Sequence, residues 1–490
     1  MRSTTALLAT TLVACGPAPT PAPEPGAIAY VGATVVDGTG AEPVPDAVLV
    51  VRDGRIECVG SEVECPLPAD AGTVDLGGLW IAPGLVDAHV HFAQTAWADG
   101  RPDGLNVTDD YPYAAVVAGQ RDNVTTTYRS YLCSGVTAVF DVGGFPWSWA
   151  LRDDVEEGVT VQGSADATIA PPHVAAAGPL LTWVPARMSL PAEQVMVQID
   201  DEAEGREAVG YLADFESDAV KVWFLSVPES DPDAPSPEQV DARVMAIGEE
   251  ARRRGRPLIV HATSLREAKV ALRAGASLLV HSVNDEPVDE EFLALALDRG
   301  TIYTPTLLVG EHSSSMYVHA LAGETPSIDD PNGCVDPATR EKIRSTPDYI
   351  EQVTVRFSPE GVEARAERNR RASNVMADNL RRIHQAGITV AMGTDAGNPL
   401  TVHGPSVYVE MEQMQAAGLT AADIVVMATR NGARAMGRQA DLGTLEAGKL
   451  ADFIVLRDDP TEDVAAFRSI SQVARAGTLV SVADLAFDIE

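Results

Sequence analysis

Eight apolar, β-rich runs recur over residues 83–440, helical stretches separate them, and short alternating strands flank them at both chain ends. These observations predict an α/β protein, a (β/α)8 TIM barrel with a small β-sandwich domain formed from both chain ends. The runs are Gly84–His91, Val136–Val142, Val174–Ala177, Ala219–Phe224, Leu258–His261, Ser277–His281, Ile302–Leu307 and Ile388–Thr394. Each is too continuously apolar for a half-exposed strand, so both faces are expected to be covered, as in a parallel sheet. Helical patterns fill the gaps at Val240–Arg254, Leu265–Ala274, Glu290–Arg299, Arg365–Ala386 and Ala421–Met436. The connection between the seventh and eighth runs is far longer than an ordinary one. It holds a polar insertion at about 310–372, read as a lid over the mouth or else as a plain surface excursion.

The β-domain is expected from 28–82 plus 441–490. Alternation marks strands at Ala33–Asp37, Ala47–Arg52, Arg55–Val59, Val74–Leu76, Phe453–Leu456, Ile470–Ala476 and Thr478–Val480. Asp53-Gly54 is a hairpin turn signal. Ahead of them, residues 1–15 read as a lipoprotein signal peptide ending in Leu12-Val13-Ala14-Cys15, with the lipid on Cys15. Residues 16–27 are a proline-rich tether. The expected location is the bacterial outer membrane, on its periplasmic or outer face. Cys58 and Cys65 flank six residues and suit a small disulfide loop, or else they are buried thiols. The same choice is open for Cys133 and Cys334.

Charge narrows the partners. Of 490 residues, 71 are acidic and 36 basic, a net charge of −35 that repels nucleic acid. Membrane attachment must then come from the lipid on Cys15, since an acidic surface repels this chain too. Hydrophobic residues make up 45%, enough to argue against disorder. Only four basic residues are lysines: Lys221, Lys269, Lys342 and Lys449.

The run ends carry the chemistry. His89 and His91 close the first run, and alternate residues of a strand face the same way. His261 ends the fifth run, His281 the sixth, and Asp395 follows the eighth. Lys221 sits inside the fourth, where an ammonium is costly unless paired or chemically altered. Active sites of such barrels are built at the C-terminal strand ends, so these six residues are the predicted metal site.

These residues and three motifs resemble the amidohydrolase superfamily, in its imidazolonepropionase-like and Xaa-Pro dipeptidase-like branch. The motifs are Gly78–His91, Gly393-Thr394-Asp395-Ala396-Gly397 and Leu442–Phe453. The resemblance implies two divalent ions, with zinc expected. His89, His91 and Asp395 would hold the more buried ion, and His261 and His281 the more exposed one. Lys221, carboxylated by CO2, would bridge them. It also implies that a metal-bridging hydroxide attacks an amide-type C–N bond, with Asp395 the catalytic proton carrier. A dipeptide, an N-acyl amino acid or a cyclic amide is the implied substrate, and a dipeptidase the best single reading. The alternatives are a cyclic imidate or lactone hydrolase on the same site, and a non-catalytic surface binding lipoprotein.

Weaker signals surround the site. His173 and His403 read as structural, and Arg187 as a surface residue with a carboxylate-binding alternative. Gln94, Trp97, Arg101, Tyr111 and Tyr113 either line a pocket or shield the barrel top. Glu311, His312 and His319 are expected to be solvated.

Overall fold

The computed structural model describes residues 26–100, 104–164, 167–184, 193–225 and 235–488. Cys15, the tether through residue 25, Arg101 and Arg187 lie outside them.

Both chain ends enter one sheet. Ala27–Val35, Val44–Arg52 and Arg55–Gly60 pair antiparallel in order, with the Asp53-Gly54 turn at φ 50° and 75° closing the hairpin. Ala71–Asp75 and Trp80–Pro83 run parallel to the first of these strands. Trp80–Pro83 then pairs antiparallel with Phe453–Leu456, which leads through Ile470–Arg475 to Thr478–Ser481. The sequence expects a β-sandwich from both chain ends, and among the described residues the strands of both ends are joined in one eight-stranded sheet. Its alternation supplies two apolar faces. Tyr30, Leu49, Ile81 and Phe453 cluster on one, Ala29, Val48, Val50 and Cys65 on the other. Cys58 and Cys65 form a disulfide.

The middle of the chain is an α/β array of parallel strands. Leu85–Val90, Val136–Asp141 and His173–Ala176 pair in that order. Leu180–Thr182, Val220–Trp223, Leu258–His261, Leu278–Val280 and Ile302–Thr304 form the second parallel group, with Met196–Gln198 on its edge. Asp218 joins the two groups. Its N–H donates to the Ala176 carbonyl at 3.1 Å, and its carboxylate accepts from the Ala176 N–H at 2.8 Å. On the far side, Tyr303 bridges to Val390 and Val90 to Ala396, so the pairing returns to the first strand.

Two expected runs are shortened for visible reasons. Pro305 and the positive φ of Thr306 (44°) stop the seventh at Thr304. The eighth, Ile388–Thr394, makes isolated bridges only, because the Met392 N–H turns aside to the Met427 carbonyl at 3.0 Å. That diverted carbonyl lies where the helix expected over Ala421–Met436 changes to a π turn, Met427–Asn431. Gly432 follows, where a Cβ would come within 2.7 Å of Val86.

The insertion is mostly helical: Val309–Ala322, Pro337–Arg344, Ile350–Arg356 and Pro359–Gln385, the last continuing into the expected Arg365–Ala386 helix. Asp336 and Ser358 cap two of these helices by accepting from Thr339 and Gly361 N–H groups. Three ties fix the insertion to the array. Cys334 is disulfide-bonded to Cys133. Lys342 reaches the buried Asp99 at 2.6 Å. Trp97 Nε1 donates to Thr346 Oγ1 at 3.0 Å.

Candidate metal centre

The six predicted residues converge because each sits in or just after a parallel strand at the same end of the array. His89 lies within Leu85–Val90 and His91 one residue beyond it. Lys221 is inside Val220–Trp223, His261 ends Leu258–His261, and His281 follows Leu278–Val280. Asp395 follows the shortened eighth run. His281 and Asp395 both take positive φ (74° and 62°), strain found where side chains are aimed at a common point.

The convergence is tight. Imidazole centroids are 5.2 Å apart for His89 and His91, 4.9 Å for His89 and His281, and 4.2 Å for His261 and His281. Asp395 Oδ1 is 3.3 Å from His89 Nε2 and 3.0 Å from His91 Nε2. His89, His281 and Asp395 each offer a ligand atom within 4.8 Å of the other two.

Hydrogen bonds around the cluster select which nitrogens face inward. His91 Nδ1–H donates to the Gly143 carbonyl at 2.7 Å, which leaves Nε2 with its lone pair toward Asp395. His281 Nδ1 pairs with Thr306 Oγ1 at 2.8 Å. Both ring nitrogens of His89 and Oδ1 of Asp395 are buried without a hydrogen-bond partner. Such orphaned polar atoms, a carboxylate oxygen and an imidazole lone pair among them, are costly in a dry site unless a cation sits among them. Ligands on a tetrahedral zinc, with bonds of about 2.0–2.1 Å, stand about 3.3 Å from one another. The 3.3 and 3.0 Å separations of Asp395 Oδ1 from the His89 and His91 Nε2 atoms match that requirement, so the donor set fits a divalent metal.

Burial sets the charges. It drives His89 well below the usual imidazole range, helped by the charge of Lys221. Lys221 is pulled down to about 7 by burial, against the opposing pull of Asp395 and Asp141. The amine is therefore largely neutral at slightly alkaline pH.

Four residues support the cluster, and three of them, Asp87, Asp141 and Glu410, escaped the sequence reading. Asp87 accepts from the Thr394 N–H at 2.9 Å and its hydroxyl at 2.6 Å, tying the first strand to the turn that carries Asp395. Burial raises Asp87 to about 7. Asp141, also buried and raised to about 6, accepts from the Gly143 N–H at 3.3 Å. Glu410 accepts from Leu307 and Leu308 N–H groups at 2.9 and 3.1 Å. It thereby fixes the turn that begins at Thr306, the partner of His281. His403, held near 4 by burial, donates from Nε2 to the His91 carbonyl at 3.1 Å. Of the four, only Asp87 stands in a quoted motif. Asp141 and Glu410 look like ordinary strand and helix residues in the sequence.

The remaining expectations resolve individually. His173 is structural, bonded to Glu156 at 2.9 Å and Asp452 at 3.0 Å. Trp97 and Tyr111 pack on Tyr349 under the insertion, and Tyr113 starts a helix. Gln94 does line the cavity. Glu311 is exposed, but His312 is not solvated: its Nδ1 is buried and its ring is held below the usual range by burial. His319 donates back to the Ser315 carbonyl at 2.8 Å.

Above the cluster opens a cavity of about 500 Å³. His91, Lys221, His261, His281 and Asp395 form its floor, and the insertion supplies one wall through Tyr317, Phe357, Arg365 and Met376. The insertion thus lines the cavity and is not a plain surface excursion.

A family model described as the amidohydrolase family matches residues 80–480. An ochratoxinase from Aspergillus niger is 25% identical, over 92% of this chain and 86% of that protein. An imidazolonepropionase from Pseudomonas putida is 47% identical over a shorter stretch, 12% of this chain and 14% of its own length. A crystal structure of an Xaa-Pro dipeptidase with bound methionine superposes with a TM-score of 0.66 at 23% identity, covering 93% of this chain and all of that one.

Proposed function

The chain belongs to the amidohydrolase family and is a hydrolase of carbon–nitrogen bonds; we propose that it cleaves an amide-type bond in a dipeptide, an N-acyl amino acid or a cyclic amide. In this reading two divalent ions, zinc first, are held by His89, His91, Lys221, His261, His281 and Asp395. The observation that carries it is the set of orphaned, buried acceptors on His89 and Asp395, spaced as metal ligands require. Bound ions supply Lewis acidity and lower the pKa of an attacking water.

The chain's own residues do the rest. Asp395 accepts the proton of the attacking water and delivers it to the leaving nitrogen. The Gly143 carbonyl keeps His91 in the tautomer that presents Nε2. Lys221, as a neutral amine, adds to CO2 and releases a proton, becoming a carbamate whose two oxygens suit a cation where an ammonium does not. Its burial among histidines supports that role. The accompanying architecture is a (β/α)8 barrel, supported by the pairing that returns from Ile302–Thr304 to Leu85–Val90.

Export with a lipid on Cys15 is part of the same proposal. It is supported by the Leu12–Cys15 motif and by two disulfides, which persist in oxidising compartments. A membrane fraction whose mature N terminus begins at an acylated Cys15 is the expected result.

The function is tested by metal analysis beside a panel of dipeptides, N-acyl amino acids and cyclic amides. Close to two metals per chain with turnover of an amide is expected. Metal-free protein that remains fully active would sink the reading.

A further inference from the structure

The cavity wall opposite the ligand cluster carries positive charge, against the strongly acidic balance of the chain. Apart from the predicted ligands, its charged lining residues are Arg356, Arg365 and the exposed Glu311. Arg365 is half-buried and stands over the Tyr317 ring, 6.0 Å from its centroid. Among the described residues it meets no acidic partner. Its own helix shows that this is not for want of acids, since Arg370 and Arg371 pair with Glu367 and Arg381 with Asp378. Arg356 is held by the Gly104 carbonyl at 2.7 Å and stands over Phe357.

A guanidinium beside an aromatic ring in a cavity lining, with no acidic partner, offers its donors to a planar anion in two-point fashion. Surface charges more than about 8 Å away are largely screened at physiological ionic strength, so the distant acidity of the chain does not cancel the charge of Arg365. The rest of the lining includes Trp223, Leu225 and Met376, which offer apolar contact.

We infer that Arg365 receives the carboxylate of an acidic substrate whose amide carbonyl lies at the ligand cluster. The substrate class is then an N-acyl amino acid or dipeptide with a free carboxylate and an apolar side chain, and neutral cyclic amides are disfavoured. This rests on the amide-hydrolase reading for the position of the carbonyl. The carboxylate contact itself depends only on the wall.

The test is calorimetric titration of the metal-loaded protein with N-acetyl-L-phenylalanine and N-acetyl-L-leucine, each beside its carboxamide. Wild type, Arg365→Met and Arg365→Lys are compared after thermal unfolding has confirmed that each is folded. Losing a charge-assisted, two-point contact should weaken binding of the acids roughly tenfold to a hundredfold in Arg365→Met and leave the carboxamides within about twofold. Arg365→Lys should recover part of the loss. Equal affinity of wild type for acid and carboxamide would overturn the inference, as would equal losses for both or no binding of either acid. Release of free amino acid, measured in parallel, separates the two readings. Arg365-dependent binding without release removes the hydrolase reading alone. Release from neutral amides as fast as from acids removes this inference alone.

Discussion

Asp395 Oδ1 lies 3.0 Å from His91 Nε2, while the opposite nitrogen of the same ring donates to the Gly143 carbonyl at 2.7 Å. One imidazole thus links the backbone after the second parallel strand to the carboxylate after the eighth. In Asp395→Asn, the carboxamide keeps the shape but cannot take up a proton. Turnover should fall by about 10²–10⁴, with unfolding temperature nearly unchanged. Steady-state kinetics beside calorimetry checks this, and near-normal turnover would remove Asp395 from proton transfer.

Metal removal has a structural signature as well as a catalytic one. A ligand that binds only the folded chain stabilises it by mass action. Chelation should therefore abolish turnover and lower the unfolding temperature, and added zinc should restore both. In His89→Ala, which loses one ligand of the pair of ions, the unfolding temperature should respond less to chelator than in wild type.

Glu410 lies outside the ligand set yet supports it. Its carboxylate caps Leu307 and Leu308, next to the Thr306 hydroxyl that pairs with His281. Glu410→Ala leaves two buried N–H groups unpaired and should cost about 2–5 kcal/mol, at about 1–3 kcal/mol for each orphaned group. Glu410→Gln keeps one acceptor and should lose less. Denaturant titration ranks the two variants.

Acid should loosen the junction between the sheet and the parallel array. Burial alone would raise Asp452, but the Arg475 charge and the His173 hydrogen bond outweigh it and hold the carboxyl well below the usual range. The His173 hydrogen bond likewise lowers Glu156 to about 2. Both folded-state pKa values are depressed, so their stabilisation is present above the unfolded values near 4 and is lost as pH falls below them. Asp452→Asn should flatten the fall in stability between pH 4.5 and pH 2, as read from urea midpoints. It should also cost about 3–5 kcal/mol at neutral pH, because Arg475 is left buried and unpaired.

The Cys133–Cys334 bridge spans 201 residues and anchors the insertion that walls the cavity. The Cys133→Ser, Cys334→Ser double variant should lose about 2–5 kcal/mol. It should also raise KM more than it lowers kcat, because the ligand cluster sits on strands the bridge does not touch. An unchanged KM would show that the wall holds its place without the tether.

The ligand cluster was legible because strand periodicity and the strand-end rule act on neighbouring residues. His89 and His91 share a face by arithmetic, and a lysine inside an apolar run advertises itself. What escaped notice depends on distant partners. Glu410 lies in Ser406–Ala416, and nothing local shows that its acceptors are backbone groups a hundred residues away. The eighth strand loses its regularity to a helix carbonyl that follows it in sequence. His312 reads as polar and exposed until the packing of the insertion covers it. The single sheet was half legible: seven of its short strands were expected, but Trp80–Pro83 and its pairing with Phe453–Leu456 were not.

That last pairing has a consequence for how the chain comes to be folded. Trp80–Pro83 lies between a strand made early in synthesis and one made some 370 residues later. Until Phe453–Leu456 is made, the Ile81 and Ala82 edge stays open and the contacts of long sequence separation stay unformed. The early strands must therefore wait, exposed to wrong pairing, until nearly the whole chain has been made. Chains truncated before residue 453 should aggregate during synthesis, even with every metal-ligating residue present.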